Sequence, residues 1–133
     1  MFKFLPHTAD IRIKVSAKTK ERVFIDSLNA INSYLKPFFL KHTLFKKLIL
    51  KIKKSEKDID NLIEFLNQVL ALVYIKKFAF EVKKIKNTKK NIIFELQGKK
   101  FKKIRKDIKS VTYHNAYFLK QKGFYMAEFI IDV

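Results

Sequence analysis

Ile11, Ile13 and Val15 alternate with Arg12, Lys14 and Ser16, the period-two pattern of a strand with one face in a core. The period then lengthens. Phe24, Leu28, Ile31 and Leu35 recur at helical spacing, Thr19 stands where an N-cap belongs, and Pro37 stops the run. Leu48, Leu50 and Ile52 mark a second strand in a lysine-rich setting. A second helix is expected from Asp58, its N-cap, along the apolar stripe Ile59, Leu62, Ile63, Leu66, Val69, Leu70 and Val73. Phe78 to Val82 and Ile92 to Leu96 read as paired strands, with the turn somewhere in KKIKNTKK and Gly98 closing the hairpin. Ser110 to Leu119 and Phe124 to Val133 read as a last antiparallel pair around Gly123. The predicted order is β-α-β-α-β-β-β-β. Helices set apart from a run of strands give the α+β class, two helices packed on a mixed or antiparallel sheet. No repeat and no Gly/Ser/Pro linker divides the chain, so residues 1–133 are expected to form one domain.

Composition narrows the setting. With 133 residues and 48% hydrophobic content, the chain can build a core without disulfides or a structural metal. Its longest apolar run, Val69 to Ile75, is too short to span a bilayer. The first residues lack a signal-peptide pattern. With no cysteine there is neither a disulfide framework nor a thiolate metal site. A soluble cytoplasmic protein that engages no membrane is expected.

The charge adds a second theme: 30 basic residues against 12 acidic, a formal +18. That balance favours a polyanionic partner. Only Arg12, Arg22 and Arg105 are arginines, however, and lysine lacks the planar fork that suits bidentate phosphate or guanine recognition. Lys, Phe, Ile and Asn, all abundant here, share A/T-rich codons, so genome composition explains the bias equally well. Direct RNA binding, as an RNA-binding or RNA-chaperone module, is therefore one functional alternative. Gly98 to Lys106, GKKFKKIRK, is the densest basic run. It suits an RNA-bearing face or a solvated loop in which Phe101 packs inward.

Catalytic constellations find little support. No two of His7, His42 and His114 are spaced as helical metal ligands, and HExxH is missing. No serine lies in a nucleophile elbow, and two glycines cannot build GxxxxGK[ST] or GxGxxG. His7 and His114 suit loop-fixing hydrogen bonds, and His42 an exposed loop. Glu64 and Asn67 fall off the apolar stripe of the second helix, where a solvated face is expected. A non-enzymatic role follows.

Acidic residues are scarce, which makes the pair at positions 10 and 132 informative. Asp10 shares a strand face with Arg12 and Lys14, opposite Ile11 and Ile13. Alone, it reads as a solvated strand end or as a side chain tying down turn amides. At the other end, Phe129, Ile131 and Val133 alternate with Glu128, Ile130 and Asp132. The α-carboxylate of Val133 thus adjoins the Asp132 side chain. Neighbouring oxygen anions suit a hard divalent cation. Should Asp10 join them, unit charges about 4 Å apart repel by about 4 kcal/mol at an effective dielectric near 20. A metal, or a lysine such as Lys109, would have to resolve that.

Pro6-His7-Thr8-Ala9-Asp10-Ile11, the segment Lys109-Ser110-Val111-Thr112-Tyr113-His114 and the ending Asp132-Val133 together resemble the archease family. The likeness runs in order along essentially the whole chain, through the Leu62 to Leu72 helix and the Gly98-x-x-Phe101 step. It implies an α+β fold and a non-catalytic cofactor protein of tRNA splicing. Archeases activate the GTP-dependent RNA-splicing ligase by promoting guanylylation of its catalytic subunit and multiple turnover. The resemblance further implies a divalent-cation site, calcium in particular, at Asp10, Asp132 and Val133. It makes Lys109, and with it His7 and His114, candidates for the activating, partner-facing surface. The chain departs from the family at Arg12, where glycine is usual, at Ser33, where aspartate is common, and in being basic where many members are acidic.

Overall fold

The computed structural model describes residues 1–5 and 10–133. His7, with Pro6, Thr8 and Ala9 beside it, lies outside the described residues. The elements are β1 (Phe2–Leu5), β2 (Ile11–Ala17), α1 (Lys20–Leu35), β3 (Pro37–Phe38), β4 (Phe45–Lys53), α2 (Asp58–Lys76), β5 (Phe78–Asn87), β6 (Asn91–Lys100), β7 (Lys103–Ile104), β8 (Ser110–Gln121) and β9 (Phe124–Asp132). They form a four-stranded sheet ordered β1-β2-β9-β8, a three-stranded sheet ordered β4-β6-β5, and the small pair β3-β7. Every pairing is antiparallel. The α+β reading holds, with the strand pairings divided among separate sheets. β1, β3 and β7 are additions that the alternation did not reveal.

Each helix bridges the two larger sheets: α1 packs on β2 and β5, and α2 on β8 and β5. Their shared core is aromatic. Phe65 of α2 stacks on Phe94 of β6 with centroids 4.0 Å apart. Phe24 of α1 leans on both at 5.7 Å and reaches Phe118 of β8 at 6.2 Å. Burying a phenylalanine contributes about 1.5–3 kcal/mol, so four elements are tied at one point. Phe65, absent from the predicted stripe, is fully buried because α2 is covered from two sides.

The helix ends show which local signals won. Thr19 caps α1, its Oγ1 accepting from the Arg22 N–H at 3.1 Å. Asp58 does not cap α2. The N-cap is Lys57, with no side-chain hydrogen bond, and Asp58 lies in the first turn, paired with Lys20 at 3.0 Å. Its carboxylate still favours the positive helix end. Asn61 holds the α2 entry instead: its Oδ1 accepts from the Ser55 N–H at 2.7 Å and its Nδ2 donates to the Ser55 carbonyl at 3.1 Å. Both helices end on left-handed lysines, Lys36 (φ 49°) and Lys77 (φ 62°), where glycine is the usual choice.

Gly98 does not close the β5–β6 hairpin. It lies within β6, opposite Phe80, and a Cβ there would meet the Phe80 ring at 2.7 Å. The turn falls at Thr88–Lys90, between β5 and β6, where Thr88 Oγ1 accepts from the Asn91 N–H at 3.0 Å. Lys122 (φ 50°) and Gly123 (φ 80°) make the β8–β9 turn, the doubly left-handed geometry that tight hairpins prefer. Among the described residues no helix is long and apolar enough to cross a membrane.

Candidate functional site

β9 is a central strand because both its faces are apolar or paired. Ala127, Phe129 and Ile131 fill the core side, and Ile130 and Glu128 are buried on the other. Its register on β2 sets Ile11 opposite Ile131, and β8 sets Val111 opposite the same residue. One step further, Asp132 pairs with Ser110, and on the other side Asp10 immediately precedes β2. The Lys109 N–H donates to the Asp132 carbonyl at 2.7 Å. β2 and β9 thus leave Asp10 and Asp132 at the same end of the sheet, both half-buried, with Lys109 and Val133 exposed there.

His114 takes a different position. β8 advances five residues from Thr112 to Tyr117 while β9 retreats two, from Ile130 to Glu128. The three extra residues carry the exposed His114 out of the ladder, with the side-chain nitrogen of Asn115 3.2 Å from its Nε2. His42 is exposed, as expected. Among the described residues, no three His, Asp or Glu side chains cluster as metal ligands. Near this end of the sheet stand the carboxylate side chains of Asp10 and Asp132, with Val133 following. These oxygen-only donors fit a hard cation such as calcium.

Arg12 bears directly on that fit. Its Nη1 lies 3.1 Å from Glu128 Oε2, with side-chain exposures of 29% and 11%. Arg12 sits opposite Ile130 and Glu128 opposite Lys14, so the guanidinium leans down the ladder, away from Asp10. Glu128 also meets Tyr117, whose hydroxyl pKa is raised by burial first and by the Glu128 carboxylate second. The cation two residues from Asp10 is thus matched before it reaches the corner.

Residues 2–133 match the Archease protein family (MTH1598/TM1083). The chain belongs to the archease family. Among solved structures, an archease from Thermotoga maritima (TM1083), described as a possible chaperone, superposes with a TM-score of 0.70 at 21% identity, over 98% of this chain and 96% of that one. Protein 1598 of Methanobacterium thermoautotrophicum gives 0.69 at 22% identity, over 99% and 98%. At these identities the likeness establishes the fold. No protein of curated function matches the chain.

This archease holds its corner with a residue the helical pattern assigned to solvent. Asn67, halfway along α2, donates from Nδ2 to the Val111 carbonyl at 2.9 Å. Its Oδ1 accepts from the Val111 N–H at 2.8 Å. One amide side chain thereby completes the outward edge of β8 next to Ser110 and Asp132. The available signal was asparagine itself, a poor helix former that gains nothing on a solvated helix face. Glu64, its neighbour by one turn, is exposed and accepts from Gln68 at 2.7 Å, as that face predicts. In the basic run, Phe101 is buried while Lys102, Lys103, Arg105 and Lys106 are exposed.

Proposed function

We propose that this archease is a non-catalytic activator of the GTP-dependent RNA-splicing ligase, promoting guanylylation of its catalytic subunit and repeated turnover in tRNA splicing. The observation that supports the reading is the β2–β9 register, which pairs Ile11 with Ile131, the residues next to Asp10 and Asp132, in a chain of this family. Asp10, Asp132 and the carboxylate of Val133 would hold a divalent cation, calcium by preference. When bound, it supplies a fixed positive charge able to engage phosphate oxygens.

The chain's own groups do the rest. Lys109 anchors Asp132 through its backbone while its ammonium stays in solvent, free to meet a partner. The Arg12–Glu128 pair keeps a competing cation off the carboxylates. Docked on the ligase, such a corner favours the guanylylation-competent geometry by binding it better than the idle one. His114, exposed in the bulge of β8, belongs to the docking surface in this reading, and His7 remains a candidate from the sequence alone.

The test is direct. Sub-stoichiometric protein added to its cognate ligase, with GTP and divalent metal, is expected to raise both ligase guanylylation and the number of ligation turnovers. Lys109→Ala should weaken that stimulation while leaving the thermal midpoint unchanged. An unstimulated ligase under these conditions defeats the reading.

A further inference from the structure

A cleft of about 550 Å³ opens where the C-terminal half of α1 meets Phe2 of β1 and the ends of β5 and β6. That volume suits a small ligand or a single base. α1 lines it with Asn29, Asn32 and Ser33, and β6 with Gln97 and Lys99. The rings of Phe39 and Phe45 stand at the wall. Phe45 is 62% exposed, a large aromatic surface left in water at the mouth of a mainly apolar recess that carries a few amide and hydroxyl side chains. Asn32 is fixed by its Nδ2 donating to the Phe80 carbonyl at 2.8 Å. Its Oδ1 is shut from solvent without a donor, so the wall is unsatisfied as it stands.

One cation stands against these rings, and two others lie over aromatic rings outside the cleft lining. The Lys99 ammonium lies 4.2 Å from the Phe39 centroid and 6.0 Å from that of Phe45. Arg105 lies over Phe38 at 5.9 Å and Lys106 over Tyr34 at 5.0 Å. Glu81, the carboxylate among the lining residues, is already paired with Lys83 at 2.8 Å.

We propose that this cleft takes an unpaired nucleobase of single-stranded RNA. Phe45 stacks on the base, the amides of Asn29 and Gln97 meet its hydrogen-bonding edge, and Lys99 with the basic run beyond it holds the flanking phosphates. An acidic peptide would engage the lysines and leave the amides idle. An acyl chain would cover the rings and strand those same amides. A base with its phosphate matches all three chemistries. The inference uses none of the corner residues and does not depend on the ligase reading.

Fluorescence anisotropy with a labelled single-stranded oligoribonucleotide of about eight nucleotides, a length within the range such sites cover, tests it at physiological salt. A strand of equal length without bases is expected to bind about tenfold more weakly, and Phe45→Ala to lose about tenfold on the intact strand. Phe45→Tyr should bind like wild type. Ile49→Ala, an equally exposed apolar position outside the cleft lining, should change nothing. Equal binding of the two strands, or an unaltered Phe45→Ala, would mean that charge alone is at work and overturns the proposal. A nucleoside monophosphate that displaces the strand at a concentration below the strand's own Kd assigns the cleft to free nucleotide and overturns the RNA assignment. Ligase stimulation by Phe45→Ala, measured alongside, separates this outcome from that of the activation reading.

Discussion

The two larger sheets present opposite surfaces from one lysine-rich chain. The outward face of the four-stranded sheet carries Asp10, Glu128 and Asp132 against Lys3, Arg12 and Lys14, and its arginine is paired to Glu128. The outward face of the three-stranded sheet carries Lys47, Lys51, Lys84, Lys86 and Lys99 against Glu81 and Glu95. Their edges differ as well. β8 is completed by the side-chain amide of Asn67, whereas β4 is an edge coated with lysines that discourage pairing with another chain. A formal charge of +18 therefore describes no particular place on the molecule. The fold sorts it, sparing one corner and loading the other face.

The largest expected effect falls on the amide-sealed edge. Asn67→Leu keeps the volume but strands the N–H and carbonyl of buried Val111, and should cost about 3 kcal/mol in urea unfolding. Next is the acidic corner: Asp10→Ala and Asp132→Ala should each weaken calcium binding by about a hundredfold, or about 2.7 kcal/mol, by calorimetric titration. Lys47→Gln, on the opposite sheet, should leave that titration unchanged; if it tightens binding as much as the aspartates weaken it, the contrast between the faces is wrong.

Gly98→Ala probes the basic sheet from beneath. Its methyl would press on the Phe80 ring, costing about 2 kcal/mol by overpacking without touching the corner. A gain should come from Lys77→Gly, which relieves a left-handed side chain and should add about 0.7 kcal/mol. The smallest effect is set by pH. Tyr117 has its pKa raised above 10.0, so its neutral form is favoured in the folded state. That contribution is complete below the unfolded pKa and is lost as pH rises through the folded value. Because the ring is partly solvated, Tyr117→Phe should flatten the alkaline decline in stability by less than about 0.5 kcal/mol.

The legible parts of the fold were those in which one local period decided the outcome. α1 with its Thr19 cap, the α2 stripe and the alternation of Ile11, Ile13 and Val15 all stand as the sequence pattern predicts. Non-local relationships were less accessible. Nothing in Phe2–Leu5 announces a strand until β2 is there to pair with it. Asp58 looks like a cap, yet Asn61 fixes the preceding loop and shifts the boundary by one residue. Gly98 reads as a turn and instead makes room for the Phe80 ring on the neighbouring strand. At the corner, the residue types pointed to carboxylate chemistry, but the neighbourhood of Asp10 and Asp132 is a matter of register across the whole chain. Asn67 was missed because its partner is a backbone, which carries no sequence signal at all.

Ile11 finds Ile131 only across 119 intervening positions, so the strand that joins the sheet's two halves is synthesised long after its neighbour. At ordinary elongation rates that is a delay of about ten seconds, during which β2 has β1 as its only strand neighbour. Closing so long a loop is entropically costly and kinetically late. The β2–β9 register would therefore be set late, after the helices and the three-stranded sheet that lie between these strands have been synthesised.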